Sequence, residues 1–400
     1  MRVVLTTESY LPYLSGVTVS VDALARGLRA IGHEVLVVAP RPARGAQIEP
    51  VGSPGPTPRH AWLPSYQPPA VAPPSYRMPL PIAWAGALRE VRDFAPDVIH
   101  AHSPFVTGLL ARRLARSLRA PLVFTHHTRF ADYAHYLGPL AAPGSRLTDA
   151  YLRGFWRSCA AIVAPSEDLA GMIRARIGAD RGSRVHVIPT GVDVTGIRSL
   201  SPIDPRPGEG WPPDAVVVAS LGRLAPEKSP GLLLDAVAVA AAGVPRLRLL
   251  MVGGGPSEAG VRSRAALPDL AGRVHITGTR PRPEALARVA GADLFLFTSQ
   301  TETQGLVLAE ALSAGLPAVA VDGPGVRDSV RDSVDGVIVP AEPAQSLVAR
   351  LAAAVEEMAE NAARRSAMAD RARSGADRFA VDRRVGEVAA LYRTVADRPG

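Results

Sequence analysis

Of the 45 Lys and Arg residues in this 400-residue chain, a single one is a lysine, Lys228. It stands in GRLAPEKSP (222–230), five residues after Arg223. Arginine offers a planar fork of donors that grips two oxygens at once, whereas lysine is a compact charge on a flexible stem. Placed together after an apolar run, with Gly222 allowing a tight turn, the two suit a diphosphate. The fork holds the ground state and the ammonium follows charge that grows on a departing phosphate.

A second group lies in TETQGLVLAEALSAGLP, where Glu302 and Glu310 are eight residues apart and Gly305 falls where a helix would begin. Backbone N–H groups of Gly305, Leu306 and Val307 would form an anion site at that helix end. Glu310, two turns along, would lie on nearly the same face as Glu302. Carboxylates beside such a site suit sugar hydroxyls; the spacing alone equally fits two solvated acids at a helix start. GGGP adds Gly253 and Gly254, where backbone can approach a ligand. A GxGxxG fingerprint and a GxxxxGK loop are both absent, which argues against nicotinamide, flavin and ATP-hydrolysing chemistry. In VFTHHTRFADYAHYLG, His126 and His127 end an apolar run and are followed by Asp132, Tyr133, His135 and Tyr136. No HExxH or Cys/His spacing accompanies them, so no metal site is indicated.

These residues need a scaffold, and the apolar runs supply one. RVVLTT, EVLVVAP, DVIHAH, PLVFTHH, AAIVAPS and RVHVIPT are followed by a second series, AVVVASLG, RLRLLMVGGG, RVHITGT, DLFLFTSQ, PAVAV and GVIVP. Each predicts a buried parallel strand, and the amphipathic gaps predict crossover helices. The expected fold is α/β, with two doubly wound Rossmann-like domains. Their unusual residues gather at the carboxyl ends of strands, where open sheets bind ligands. The expected boundaries are 1–195 for the first domain, 196–214 for a linker centred on SLSPIDPRPGEGWPPD, and 215–379 for the second, with a helix over about 380–400 packing back on the first. The proline-dense stretch from Pro50 to Pro81 is expected to be a long loop.

The formal charge of +8 divides unevenly: residues 1–195 hold 21 Arg and 13 acids, and the remainder is balanced. An excess of this kind points to an anionic partner, a phospholipid surface or a nucleic acid. No helix-turn-helix, zinc-finger or RNA-binding signature supports nucleic acid. In TGLLARRLARSLRAP, Leu110, Leu114 and Leu118 share one helical face and Arg112, Arg113, Arg116 and Arg119 the other. The leucines fit a crossover helix packed on its sheet, and the arginines would be placed to meet lipid phosphate. Cys159 is the only cysteine, so no intrachain disulfide is expected and a reducing compartment fits. No apolar run reaches the roughly 18 residues of a membrane span, and MRVVLTTESY reads as a first strand instead of a signal peptide. A cytoplasmic protein, peripheral on the membrane, is the expectation.

The segments TESYLPYLSGVTVSV, HAHSP, IPTGVD, GRLAPEKSP, VGGGP and Glu302 to Glu310 together resemble the GT-B glycosyltransferases of family 4, along almost the whole chain. The resemblance implies two Rossmann-like domains with a cleft between them, an acceptor-binding first domain and a donor-binding second. It implies a retaining hexosyltransferase that uses a nucleotide diphosphate sugar and needs no metal or other cofactor. Arg223 and Lys228 would hold the diphosphate, Glu302 the sugar hydroxyls and Glu310 the ribose. Gly305, Leu306 and Val307 would offer backbone amides, Gly16 a close backbone approach, and His127, or His126, a contact near the donor sugar. THHTRFADYAHYLG is most similar to enzymes that glycosylate diacylglycerol and related lipids, with Ala131 where a further acid often stands. The alternatives are a non-lipid acceptor, a nucleotide-sugar 2-epimerase of the same fold, or a basic nucleic-acid-binding protein.

Overall fold

The computed structural model of the chain describes residues 1–48, 55–68, 75–82, 84–128 and 141–397. Two compact units are formed, Met1–Gly191 with Val381–Gly400, and Val192–Ala380.

The first unit is built on a seven-stranded sheet. Its strands are β1 (Arg2–Thr6), β2 (Glu34–Pro40) and β3 (Arg59–Leu63), then, beyond a small antiparallel pair β4 (Ser65–Tyr66) and β5 (Met78–Pro79), β6 (Val98–Ala101), β7 (Leu122–Thr125), β8 (Ala161–Ala164) and β9 (Val185–Val187). The order is β3-β2-β1-β6-β7-β8-β9, with all pairings parallel. Both faces of the central strands are covered, which is why β7 and β8 are buried at every position and do not alternate. On one face Val4, Ile99, Phe124 and Ile162 pack with Leu110, Leu114, Phe155 and Trp156 from the crossover helices. On the other, Val3, Leu5, Val123 and Val163 pack with the helices Gly16–Ala30 and Val381–Ala396.

β3 corrects the expectation of a long loop from Pro50 to Pro81. Its buried Ala61 and Leu63 alternate with the half-buried His60 and Trp62, and it extends the sheet from β2 in register Leu36↔Arg59. Five residues of alternation between prolines are too short to stand out as a periodic signal.

The second unit carries β10 (Val216–Leu221), β11 (Leu247–Val252), β12 (Val274–Ile276), β13 (Leu294–Phe297), β14 (Ala318–Val321) and β15 (Gly336–Val339), in order β12-β11-β10-β13-β14-β15. The order reverses between β10 and β13, so the loops leaving these two strands diverge and open a crevice at their carboxyl ends. The stretch expected as a linker packs within this unit. The helix Val194–Ser199 runs into it, and it contains the helix Pro205–Gly208, buries Trp211, and ties Arg206 to Asp293 by an ion pair and to the Ala215 carbonyl at 2.9 Å. Among the described residues no helix is long and apolar enough to cross a membrane.

Candidate active site

The crevice of the second unit is assembled from the loops after β10, β11 and β13. The first two are joined by backbone: Gly222 N–H donates to the Val252 carbonyl and Leu224 N–H to the Gly254 carbonyl, each at 3.0 Å. Gly253 makes this possible, having φ 139° and a position where a Cβ would fall 1.9 Å from the Gly222 carbonyl oxygen. Its glycine character therefore serves loop-to-loop contact first.

Hydroxyls of the β13 loop fix the turn that carries the lysine. Thr298 Oγ1 donates to the carbonyls of Lys228 (3.1 Å) and Ser229 (3.3 Å), while Ser299 Oγ and Thr301 Oγ1 donate to that of Glu227 (3.1 and 3.2 Å). Held this way, Lys228 Nζ forms an ion pair with Glu302 Oε1, the two side chains being 34% and 21% exposed. Arg223 is exposed and has no carboxylate partner among the described residues. A mixed-charge pair with an unpaired guanidinium on the same loop can divide its attention: cations to an anion, carboxylate to hydroxyls.

Gly305, at φ 71°, caps the helix Leu306–Ser313 in the left-handed region that favours glycine. The N–H groups of Leu306 and Val307 precede the first helical bond, Leu308 N–H to the Gly305 carbonyl at 2.9 Å, and are among the donors that a helix start leaves over. Glu302 lies in the turn before this helix, so the shared-face expectation for Glu302 and Glu310 does not hold. Glu310 is inside the helix and 1% exposed, its Oε1 ion-paired with Arg282 and its Oε2 without a partner among the described residues. Burial lowers the Arg282 guanidinium to about 10, which leaves it charged near neutral pH. Arg282, 28 positions upstream of Glu310, has no spacing signal; only the rule that a buried charge needs a partner could have called for it.

In the first unit the two adjacent histidines part company. His126 turns into the core, edge-on to Phe124 and Trp156 at 5.5 and 5.4 Å between centroids, and is 1% exposed. That position removes it as an alternative to His127. His127 lies on the opposite side of the strand end, with Nε2 2.9 Å from Nδ1 of His102. His102 in turn lies against His100 at 4.3 Å, and His100 is held at both nitrogens, Nδ1 2.6 Å from Tyr392 Oη and Nε2 2.7 Å from Thr125 Oγ1. Burial lowers His100 to about 3 and His127 to about 4, and pushes His102 well below the ordinary value, so all three rings are neutral near pH 7. The alternation in HAHSP, which puts His100 and His102 on one face of β6, was the available signal for His102.

Glu8, in the loop that leaves β1 beside the order reversal of the first sheet, is a further residue that motif reading passed over. It accepts from Thr107 N–H at 3.2 Å, and burial raises its carboxyl above the usual range. Gly16 is exposed and opens the helix capped by Ser15, whose hydroxyl accepts from Thr18 N–H at 3.2 Å. Asp132, Tyr133, His135 and Tyr136 lie outside the described residues. On the helix Val106–Leu118, Leu110 and Leu114 are buried and Leu118 half-buried, whereas Arg113 and Arg116 are exposed. Arg112 is half-buried and lines a notch with Arg116 and Arg184. Arg119 is exposed but sits beyond the helix, in a left-handed cap at φ 53°, so its place on the wheel does not apply. Among the described residues no group of three or more His, Cys, Asp or Glu side chains is arranged to hold a metal ion.

Residues 14–195 match the family described as Glycosyltransferase Family 4, and residues 204–374 match Glycosyl transferases group 1. The GDP-mannose-dependent alpha-mannosyltransferase of Mycobacterium tuberculosis is 33% identical over 343 residues, 85% of this chain and 84% of its own. The alpha-monoglucosyldiacylglycerol synthase of Acholeplasma laidlawii is 29% identical over 330 residues, 80% of either chain. The Anabaena protein HepE, solved in complex with UDP-glucose, shares the fold with a TM-score of 0.71 at 19% identity, over 98% of this chain and 100% of its own. With the parallel-sheet units and the rim of β10, β11 and β13 in place, the chain belongs to the family 4 glycosyltransferases, which have the GT-B fold.

Proposed function

We propose that the protein transfers a hexose, with retention of configuration, from a nucleotide diphosphate sugar of the UDP-glucose or GDP-mannose kind to a membrane lipid such as diacylglycerol. The observation that carries this reading is the Lys228–Glu302 pair beside the amino end of the helix Leu306–Ser313. Arg223 and Lys228 take the diphosphate and neutralise charge as it leaves. Glu302 turns to the sugar hydroxyls, the N–H groups of Leu306 and Val307 add donors, and Glu310, steadied by Arg282, serves the ribose. Because two cations already meet the leaving charge, no metal is assigned a role. His127 contacts the substrate as a neutral ring. The acceptor and leaving diphosphate occupy one side of the sugar, as front-face displacement requires.

The lipid acceptor is supported by the named glucosyldiacylglycerol relative and by the arginine surface of the helix Val106–Leu118. The experiment is a transfer assay that offers UDP-glucose or GDP-mannose and diacylglycerol, in anionic vesicles or in detergent. The quadruple variant of Arg112, Arg113, Arg116 and Arg119→Gln should lose about fivefold or more of the vesicle rate, since each arginine is worth about 1 kcal/mol at a charged bilayer, and little of the detergent rate. Equal losses in both remove the membrane contact. Transfer to soluble acceptors alone removes the lipid.

A further inference from the structure

We propose that a notch at the amino edge of the first sheet, lined by Arg112, Arg116 and Arg184, is a second anion site, built for a phosphate ester carried on a lipid headgroup or free in solution. The site stands apart from the transfer chemistry and does not depend on it.

Separate segments of the chain meet at the notch. Arg112 and Arg116 are four residues apart on the helix Val106–Leu118, so they are neighbours on one face. Arg184 comes from the short turn Ala179–Arg184. Ser158, Cys159 and Leu122 line the same notch. Leu122 opens β7 and Cys159 lies just before β8, which puts the notch at the end of the sheet opposite the rim where parallel strands present ligands. Its volume is about 260 Å³, several times the roughly 30 Å³ share of a water molecule.

Charge singles it out. No Asp or Glu among the described residues lines the notch, and none of the three guanidiniums has a carboxylate partner among them. Elsewhere in the unit arginines are answered: Arg26 by Asp22, Arg174 by Glu167 and Arg176 by Asp149. Arg184 Nη1 donates to the Cys159 carbonyl at 3.2 Å, and both Arg112 and Arg184 are half-buried, so these side chains are held in place and not simply dispersed in water. Burial pushes the Cys159 thiol up to about 12, although Ser158 and the charges of Arg112 and Arg184 pull it down. The thiol therefore stays neutral and supplies no anion of its own. Like charges gathered beside buried apolar groups repel, and an anion from outside turns that repulsion into binding. Guanidinium forks match phosphate oxygens in pairs, which favours phosphate over a halide. Arg184 has no part in the arginine face of the helix Val106–Leu118, so the notch is a defined site where that face is a diffuse charge.

Inorganic phosphate is the first probe, titrated calorimetrically at fixed ionic strength. The unaltered protein should bind it with a Kd of about 1 mM, and Arg112→Gln with Arg184→Gln should weaken that by about tenfold or more. Arg89→Gln with Arg92→Gln removes two exposed charges from the helix Ala85–Phe94 and should change the affinity by less than about twofold. Lys228→Ala should keep the binding, which separates the notch from the crevice of the second unit. Hydrogen exchange in the unaltered protein needs no variant to fold: phosphate, and not chloride, should slow it in the helix Val106–Leu118 and the turn Ala179–Arg184. Phosphatidylcholine vesicles containing phosphatidic acid then name the source. If the Arg112 and Arg184 variant loses about tenfold of its vesicle binding and the Arg89 and Arg92 control does not, the phosphate is that of a lipid headgroup. If both keep it, the ligand is a soluble phosphate, and the site stands in either case. Equal phosphate affinity in the notch variant and the unaltered protein, equal losses in the notch and control variants, or protection confined to other segments would overturn the proposal.

Discussion

Replacing Glu302 by alanine is expected to lower turnover by about 10²- to 10³-fold, the usual cost of one preorganised electrostatic group, while UDP or GDP binds as tightly as before or more tightly. The reason is the partnership seen in the crevice. Lys228 Nζ is shared with Glu302, so removing the carboxylate releases the ammonium to the diphosphate and also removes a negative charge from its surroundings. Lys228→Ala has the opposite effect on binding, because it leaves the Glu302 anion unneutralised beside an incoming anion. Nucleoside diphosphate affinity should fall about tenfold or more, together with a turnover loss of about 10³-fold. Both variants should remain folded, since a pair this exposed contributes about 0–1 kcal/mol. Calorimetric titration of the nucleoside diphosphate and steady-state kinetics on the same preparations measure the two effects. Equal weakening of nucleotide binding in both variants would show that the pair does not divide between phosphate and sugar.

Acidification from pH 7 to pH 5 should destabilise the first unit by about 5 kcal/mol, as an upper figure for the three histidines His100, His102 and His127. His100 and His127 are lowered to about 3 and about 4 in the folded chain, and His102 well below its ordinary value, whereas an unfolded histidine titrates near 6.5. Between those values the unfolded chain binds more protons than the folded one. Stability is therefore complete above about pH 6.5 and falls as the pH drops toward the folded values, by roughly 1.4 kcal/mol per pH unit for each ring. The thermal midpoint should drop by roughly 10 °C or more over this window, and His100→Gln should flatten the slope by about one proton. A midpoint constant from pH 7 to 5 would mean that the three rings are already hydrated or charged in the native state.

Legibility in the sequence followed physical range. Runs such as VVVASL and LRLLMV announce buried parallel strands by composition alone, and the chemistry at their ends follows from the way parallel sheets bind ligands. The pairing of Lys228 with Glu302 spans 74 positions and depends on Thr298, Ser299 and Thr301 grasping carbonyls of another loop, for which no local pattern exists. β3 was hidden because its stabilisation comes from β2 and not from its own short alternation. Glu302 and Glu310 misled through period: the eight-residue spacing reads as two helical turns, but Gly305 starts the helix after Glu302, so helical geometry relates only the later residues. The separation of His126 from His127 is the strand period of two at work, which sends adjacent residues to opposite faces.

The most direct measurement is the crystal structure of the protein with its nucleotide sugar bound. The expected complex has the diphosphate within hydrogen-bond distance of Arg223 and Lys228, with Glu302 released from the ammonium and accepting from sugar hydroxyls. A diphosphate seated elsewhere, with Lys228 and Glu302 still paired and out of its reach, would contradict it.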